Sequence, residues 1–467
     1  MGKIARDETL GKVANAVEAI AALMADSMDG DTGFDAQAQL VKGGFGAKAI
    51  PVGTQEVIYK ETGISATHSG EGITAIAVDE EVFINAEHES GVKAYEFTFD
   101  GVGWKDQKDN IVELAGYGIT VTGTPAEGDQ IVIHETASAI EMSVLDHDYD
   151  TPVNEAIKHT MTIGMNNCFE NRQFDAPEAL IATPNGLTSG TRYYVSSNHG
   201  AYNDSTTEDG DFGFTPTVSP ANVRYVRHST MGAYRSSYAK SNVTGGKFIT
   251  YDANFTKLEE CTTDEGSTGT YLGTVTAENP TYKSGDNVNY TRRNAYGSND
   301  WETSNIRQYL NSVGTGWWKQ MTKFDFPPEN VNTIKGFLTG IDPVLRAHMQ
   351  KVKKTYTKHN VDGGGLKVVE DKVFLLGMTE VNFGANNGSH ESSYGMDNTL
   401  KTVPYAFYKD AGNADRIKLL SGTARLWWLR GTDPSNCGGV RVVLTDGSLN
   451  LNGATNALGL VAACAIG

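Results

Sequence analysis

Cysteine is scarce in this chain of 467 residues, which carries only Cys168, Cys261, Cys437 and Cys464. Their wide spacing forms no CxxC pair and no Cys/His ligand set, so neither a structural zinc site nor a disulfide framework is expected. Long apolar runs are also missing. The apolar tail LGLVAACAIG is about half the length a bilayer requires, and charged residues run through the first twelve positions, with no apolar core of a secretory signal. A soluble chain made in the cytoplasm is expected, without membrane insertion. Proline is rare too, 13 against 52 glycines, which favours turns and short strands over long helices.

Positive charge is in deficit, 39 Lys and Arg against 57 Asp and Glu, for a net charge of -18. Such a chain repels phosphate backbones, so nucleic acid is not an expected partner. The one basic cluster, HMQKVKKTYTKH from His348 to His359, reads as the solvated face of a helix. No GxSxG, HExxH or GxxxxGK[ST] motif occurs, and no enzyme, cofactor or metal is predicted. The acidic stretch DHDYD, Asp146–Asp150, could hold a divalent ion, but an Asp-rich interdomain turn has the same composition; TEDGDFG, Thr207–Gly213, is similar. SHESS, Ser389–Ser393, sets Ser, His and Glu side by side in what reads as a surface loop, whereas triads gather residues distant in sequence.

What is present has an order. Ala5–Asp26 reads as a helix, with Leu10, Val13, Val17, Ile20 and Met24 spaced as an a/d seam, and Met28–Gln37 as a linker. From Val41 to Ala137, short alternating runs bounded by Gly, Asp or Pro predict an antiparallel β-sandwich or barrel-like domain. Within it FTFDGVGW reads as a hairpin turning at Asp100 and Gly101. The remainder predicts a mixed α+β domain with large loop insertions. It would hold a helix over Asp300–Val313 capped by Thr303 or Ser304, a second over Val344–Val352, buried strands in KVVEDKVFLLG and RLWWLR, and a hairpin in VRVVL–DG–SLN. The expected fold class is therefore multidomain and β-rich, divided at 1–37, 38–145 and 146–467.

Near the end lies DGSLNLNGATNALG, Asp446–Gly459, enclosed by the apolar runs VRVVL and LVAACAIG. It is too polar for a core, yet carries three leucines that a solvated loop rarely keeps.

An ordered series of motifs carries a resemblance: QFDAPEALIA, YGSNDWETSNIRQYLNS, KFDFPP, DGGG, KVFLLGMTEV, DRIKL, WWLRGTDPSN, VRVVLTDGSLN and VAACAIG. From about Asp150 to Gly467 the chain resembles phage and prophage proteins that end in a C-type-lectin fold, the variable proteins of diversity-generating retroelements. The family's usual Pro near the end is Ala462 here. The ARDETL helix and the segments FTFDGVGW and YGITVTGTPAEGD look like those of phage tail-associated proteins, which implies an attachment module. The resemblance implies a receptor-binding protein of the phage tail, located in the virion, bound through its N-terminus to other tail proteins and to a host-cell surface glycan or protein, and expected as a homotrimer. It implies that Trp427, Trp428, Leu429 and Val440–Val443 are scaffold, and that Arg430 and Arg441 pair with carbonyls or carboxylates. The implied ligand-binding positions are Asn436, Gly439, Val442, Leu444, Leu451, Asn452, Thr455, Asn456 and Leu458, where rewriting of template adenines would vary the side chain. Two other readings stay open: a fixed baseplate or decoration protein, and an oxidase of the kind that modifies sulfatases, whose copper or redox cysteine pair Cys437 and Cys464 do not recognisably supply.

Overall fold

The computed structural model describes residues 34–79, 83, 91–178, 181–183, 187–198, 210–226, 247–254, 256–262, 264–276, 293, 296–322, 325, 327–328, 331–359, 362–383, 403–433 and 436–467. The helix expected over Ala5–Asp26 lies outside them, as does SHESS. The described residues are β-rich and build several sheets, in which antiparallel pairing predominates. Two compact units result. One comprises the chain up to Asn167 with Phe337–Val352 and Ala463–Gly467; the other comprises Cys168–Gly336 and Lys353–Ala462. Composition places a boundary at 145/146 instead. It misses that the strand Gln130–His147 runs through that point and pairs with Met161–Met165 beyond it.

The first unit is organised by Gln130–His147, flanked by Gln55–Ser69 on one side and by Gly91–Phe99 and Met161–Met165 on the other. Up to Ile140 its buried and exposed residues nearly alternate, as in a strand with one covered face. From Met142 to Leu145 every residue is buried, so both faces are covered there. Ala462–Ile466, the last strand of the chain, pairs with Met161–Met165 and with Met349–Gln350. A separate two-stranded sheet, Ile73–Val78 with Ile119–Gly123, closes a core of Ile73, Phe83, Phe97, Leu114, Ile119, Ile131 and Ile133. The predicted hairpin forms. The Asp100 carboxylate accepts the Val102 and Gly103 amides, and these backbone bonds pull it down to about 2.

Three local expectations change. Residues Phe34–Lys42 are helical, so the linker read over Met28–Gln37 ends inside a helix; residues before Phe34 are not described. The DHDYD carboxylates serve their own backbone and neighbours. Asp148 accepts the Thr160 amide at 2.9 Å and buried Asp150 accepts the Thr162 hydroxyl at 2.7 Å. The basic cluster is mostly extended and not a helix: the helix Pro343–His348 stops there, and Met349–Gln350 and Val352–Thr357 are strands. Val352, Lys354 and Tyr356 are buried at a period of two. A buried lysine mimics a solvated one in sequence because its partners, Glu380 and Tyr405, lie far along the chain.

In the second unit the helix Asn305–Leu310 is capped by Ser304, whose hydroxyl accepts the Arg307 amide, and it buries Ile306, Tyr309 and Leu310. A five-stranded sheet follows the order Leu449–Gly453, Gly439–Val443, Trp427–Thr432, Ala457–Gly459, Asn171–Gln173. Between Asn171–Gln173 and the helix the chain also builds two four-stranded sheets around Leu187, Tyr193, Val195, Phe212, Phe214, Val223, Phe248 and Cys261. This inserted β-sandwich has its own apolar core, where sequence suggested only loop insertions.

Candidate ligand-binding surface

The two middle strands Trp427–Thr432 and Gly439–Val443 are buried at every position. Trp427 and Trp428 are fully buried, and each indole N–H donates to a backbone carbonyl, of Arg416 at 2.9 Å and of Arg172 at 2.7 Å. Phe174 packs at 5.6 Å from the Trp428 ring and 6.0 Å from Trp301. Consecutive on one strand, the two indoles fill opposite faces of the sheet with their polar edges satisfied.

Arginines hold this sheet to its surroundings. Arg430 donates to both oxygens of Glu380, at 2.5 and 2.7 Å, and to the Leu375 carbonyl at 2.7 Å. Lys354 reaches the same carboxylate at 2.7 Å. Burial would raise the Glu380 pKa, but Arg430 and Lys354 outweigh it and hold the carboxyl well below its usual range. Arg441 pairs with Asp433 at 3.3 Å.

The turn before Gly439–Val443 is fixed from below by residues that sequence reasoning did not single out. The Asn299 side-chain amide donates to the carbonyls of Asp433, Asn436 and Gly439, and its backbone amide donates to that of Cys437. Arg293 Nε donates to the Cys437 carbonyl, while its outer nitrogens grip Asp362 at 2.5 and 2.8 Å. Asp175, also buried, accepts the Ser298 and Asn305 amides, and burial beside Asp325 and Glu178 raises its pKa well above the usual value. The available signal was the motif YGSND, whose polar residues sit between apolar ones. Nothing in it names the carbonyls they serve.

The nine sequence-predicted positions fall into two groups on this frame. Asn436, Gly439 and Val442 are buried, Val442 completely, so these positions belong to the sheet interior and its turn and do not present a surface. Leu451 and Asn456 are exposed, and Leu444, Asn452, Thr455 and Leu458 are half-buried. Leu444, Leu451 and Asn452 belong to the hairpin, Thr455 and Asn456 to the loop that follows it, and Leu458 to the strand Ala457–Gly459; Leu451 and Asn452, successive on their strand, face opposite sides of the sheet. The register pairs Val442 with Asn450, Arg441 with Leu451 and Val440 with Asn452. A left-handed Gly447 (φ +79) makes the turn, and its Cβ would run into the Asn413 carbonyl. The loop beyond is pinned by the buried Ala454. Its amide donates to Gly438, and its carbonyl accepts the Phe174 and Asp175 amides. Thr455 is held through its backbone, by the Tyr296 carbonyl and by Gln173 Nε2. Asn452 accepts from Asn456 across the loop. The side chains of Leu451, Thr455, Asn456 and Leu458 are thus carried by backbone bonds that do not depend on what those side chains are.

No catalytic constellation or metal site is evident in this surface, and no group of three or more His, Cys, Asp and Glu able to hold a metal ion occurs among the described residues. Residues 274–466 match a domain of unknown function (DUF6273), which takes in the whole candidate surface. No curated protein and no solved structure matches the chain.

Proposed function

We propose that the protein is a receptor-binding protein of a phage tail, whose C-terminal domain has a C-type-lectin fold and presents a diversified surface to the host cell. The observation that carries this reading is the separation of identity from support. Leu444, Leu451 and Asn452 lie on an edge hairpin, Thr455 and Asn456 on the loop after it and Leu458 on the adjoining strand Ala457–Gly459, and their backbone is held by bonds that do not involve these side chains. A surface built this way tolerates rewriting of its side chains, and each contact on so shallow a face is weak, so binding strength comes from several copies acting together. A homotrimer supplies the copies. The N-terminal segment Ala5–Asp26 would join the protein to the rest of the tail, and the receptor would be a glycan or protein of the host surface.

Phage carrying Leu451, Thr455 and Leu458 all replaced by Ser should lose adsorption to its host, or shift host, while the purified variant keeps its thermal midpoint. An unchanged adsorption rate sinks the proposal and favours a fixed virion component. Sequencing the locus checks the diversification separately. A near-copy of the DNA for the last forty or so codons, differing at adenines and lying beside a reverse-transcriptase gene, is the expected finding.

A further inference from the structure

We propose that the inserted β-sandwich carries a second binding site, for a neutral polysaccharide, on the outer face of the sheet formed by Asp264–Glu265, Gly210–Phe214, Tyr193–Asn198 and Thr270–Thr276. The register draws one row straight across these four strands. Asp264 is paired with Gly213, Gly213 with Tyr194, and Tyr194 with Tyr271. The neighbours Tyr193, Val195, Phe212 and Phe214 all point into the core, so the row faces outward. Three inter-strand steps make it about 14 Å long, room for a short run of sugar rings.

The row has two chemistries side by side. At one end Tyr194 and Tyr271 lie with ring centroids 5.2 Å apart and planes inclined at 42°, and Tyr271 is 48% exposed. Tyr194 is half-buried beside it, and the negative π face of an exposed tyrosine suits the slightly positive C–H face of a pyranose. At the other end Arg192, two residues before Tyr194 and on the same face, lies across Gly213 and pairs with Asp264 through both outer nitrogens, one bond measuring 2.8 Å. Its Nε donates to the Thr268 carbonyl at 3.1 Å and hydroxyl at 2.9 Å. Glycine leaves it room: a Cβ at Gly213 would run into the guanidinium and displace it from this position.

Of the five N–H donors of the guanidinium, these contacts engage three, and the Asp264 carboxylate keeps further acceptor positions at 62% side-chain exposure. The site therefore offers fixed donors and acceptors for hydroxyl groups beside the two tyrosines. The arginine's charge is matched by Asp264, and the chain as a whole carries -18. Neither favours an acidic polymer, so the occupant is a neutral glycan. The site is independent of the C-terminal hairpin and lies mostly upstream of the DUF6273 match, which begins at residue 274.

Affinity electrophoresis of the full-length protein through gels containing starch, β-glucan, xylan or galactomannan tests it. Retardation is expected in at least one neutral polysaccharide. Y271A and G213V should each weaken it by about tenfold or more, Y271W should retain it, and L451S should leave it unchanged. Because Tyr271 is exposed, Y271A should melt with the wild type, which separates lost binding from lost folding. Free migration of the wild type in all four gels would overturn the proposal, as would equal retardation of Y271A or retardation abolished by L451S alone.

Discussion

Glu380 accepts hydrogen bonds from Arg430 and Lys354 with all three side chains buried. Removing one member of such a group leaves the others charged and unpaired in a medium that solvates them poorly, so E380Q should cost about 3–5 kcal/mol. The same geometry predicts a pH dependence with a definite sign. The folded pKa is depressed below the ordinary 4.5, so the carboxylate's contribution is fully present above that value and is lost as pH falls through the folded pKa. Urea unfolding between pH 7 and pH 3 should show stability dropping below about pH 4.5 in the wild type. The drop should be shallower in E380Q. Parallel curves would mean that this ion pair does not control acid stability.

At the scale of elements, the C-terminal hairpin joins two strands with opposite duties. Gly439–Val443 is buried throughout, whereas Leu449–Gly453 has only the strand on its inner side and leaves Asn450 and Leu451 exposed. Replacing Leu451 by Asn should change stability by no more than about 0.5 kcal/mol, as at ordinary surface positions. Val442 replaced by Asn should cost at least about 2 kcal/mol, since it removes apolar contacts and buries an amide. Denaturation midpoints of the two variants measure the contrast. Equal losses would mean that the edge strand is part of the core and displays nothing.

At the scale of the whole chain, the first compact unit is assembled from segments far apart in sequence. Ala462–Ile466 lies between Met161–Met165 and Met349–Gln350, and Cys464, Ala465 and Ile466 are buried. The first compact unit is therefore incomplete without Ala463–Gly467, a non-local pairing of the kind that forms slowly. Deleting Ala463–Gly467 should cost several kcal/mol, from the lost apolar burial and an exposed sheet edge. Hydrogen exchange should locate the damage in Met161–Met165, some 300 residues upstream. Retained protection there in the truncated chain would show that the terminal strand is dispensable. The same burial pushes the Cys464 thiol up to about 12, which keeps it unreactive within the sheet.

What the sequence determined by itself was local. Alternation in GDQIVIHE and AYEFTFD, Asp-Gly at both hairpin turns, the Ser304 cap and the apolar blocks WWL and VRVV are legible because each depends on neighbours a few residues away. That DGSLNLNGATNALG is too polar for a core was legible for the same reason, whereas the ligand-binding positions within and beside it were implied by the resemblance alone. Tertiary structure alone decided the rest. It placed Val442 inside while Leu451 stayed out, turned Lys354 inward to Glu380, set Asn299 beneath three carbonyls of a distant turn, and drew Asp264, Gly213, Tyr194 and Tyr271 into one row. Each of these depends on sheet register or on a partner tens to hundreds of residues away. Register is fixed by the summed packing of whole strands and is carried by no single residue.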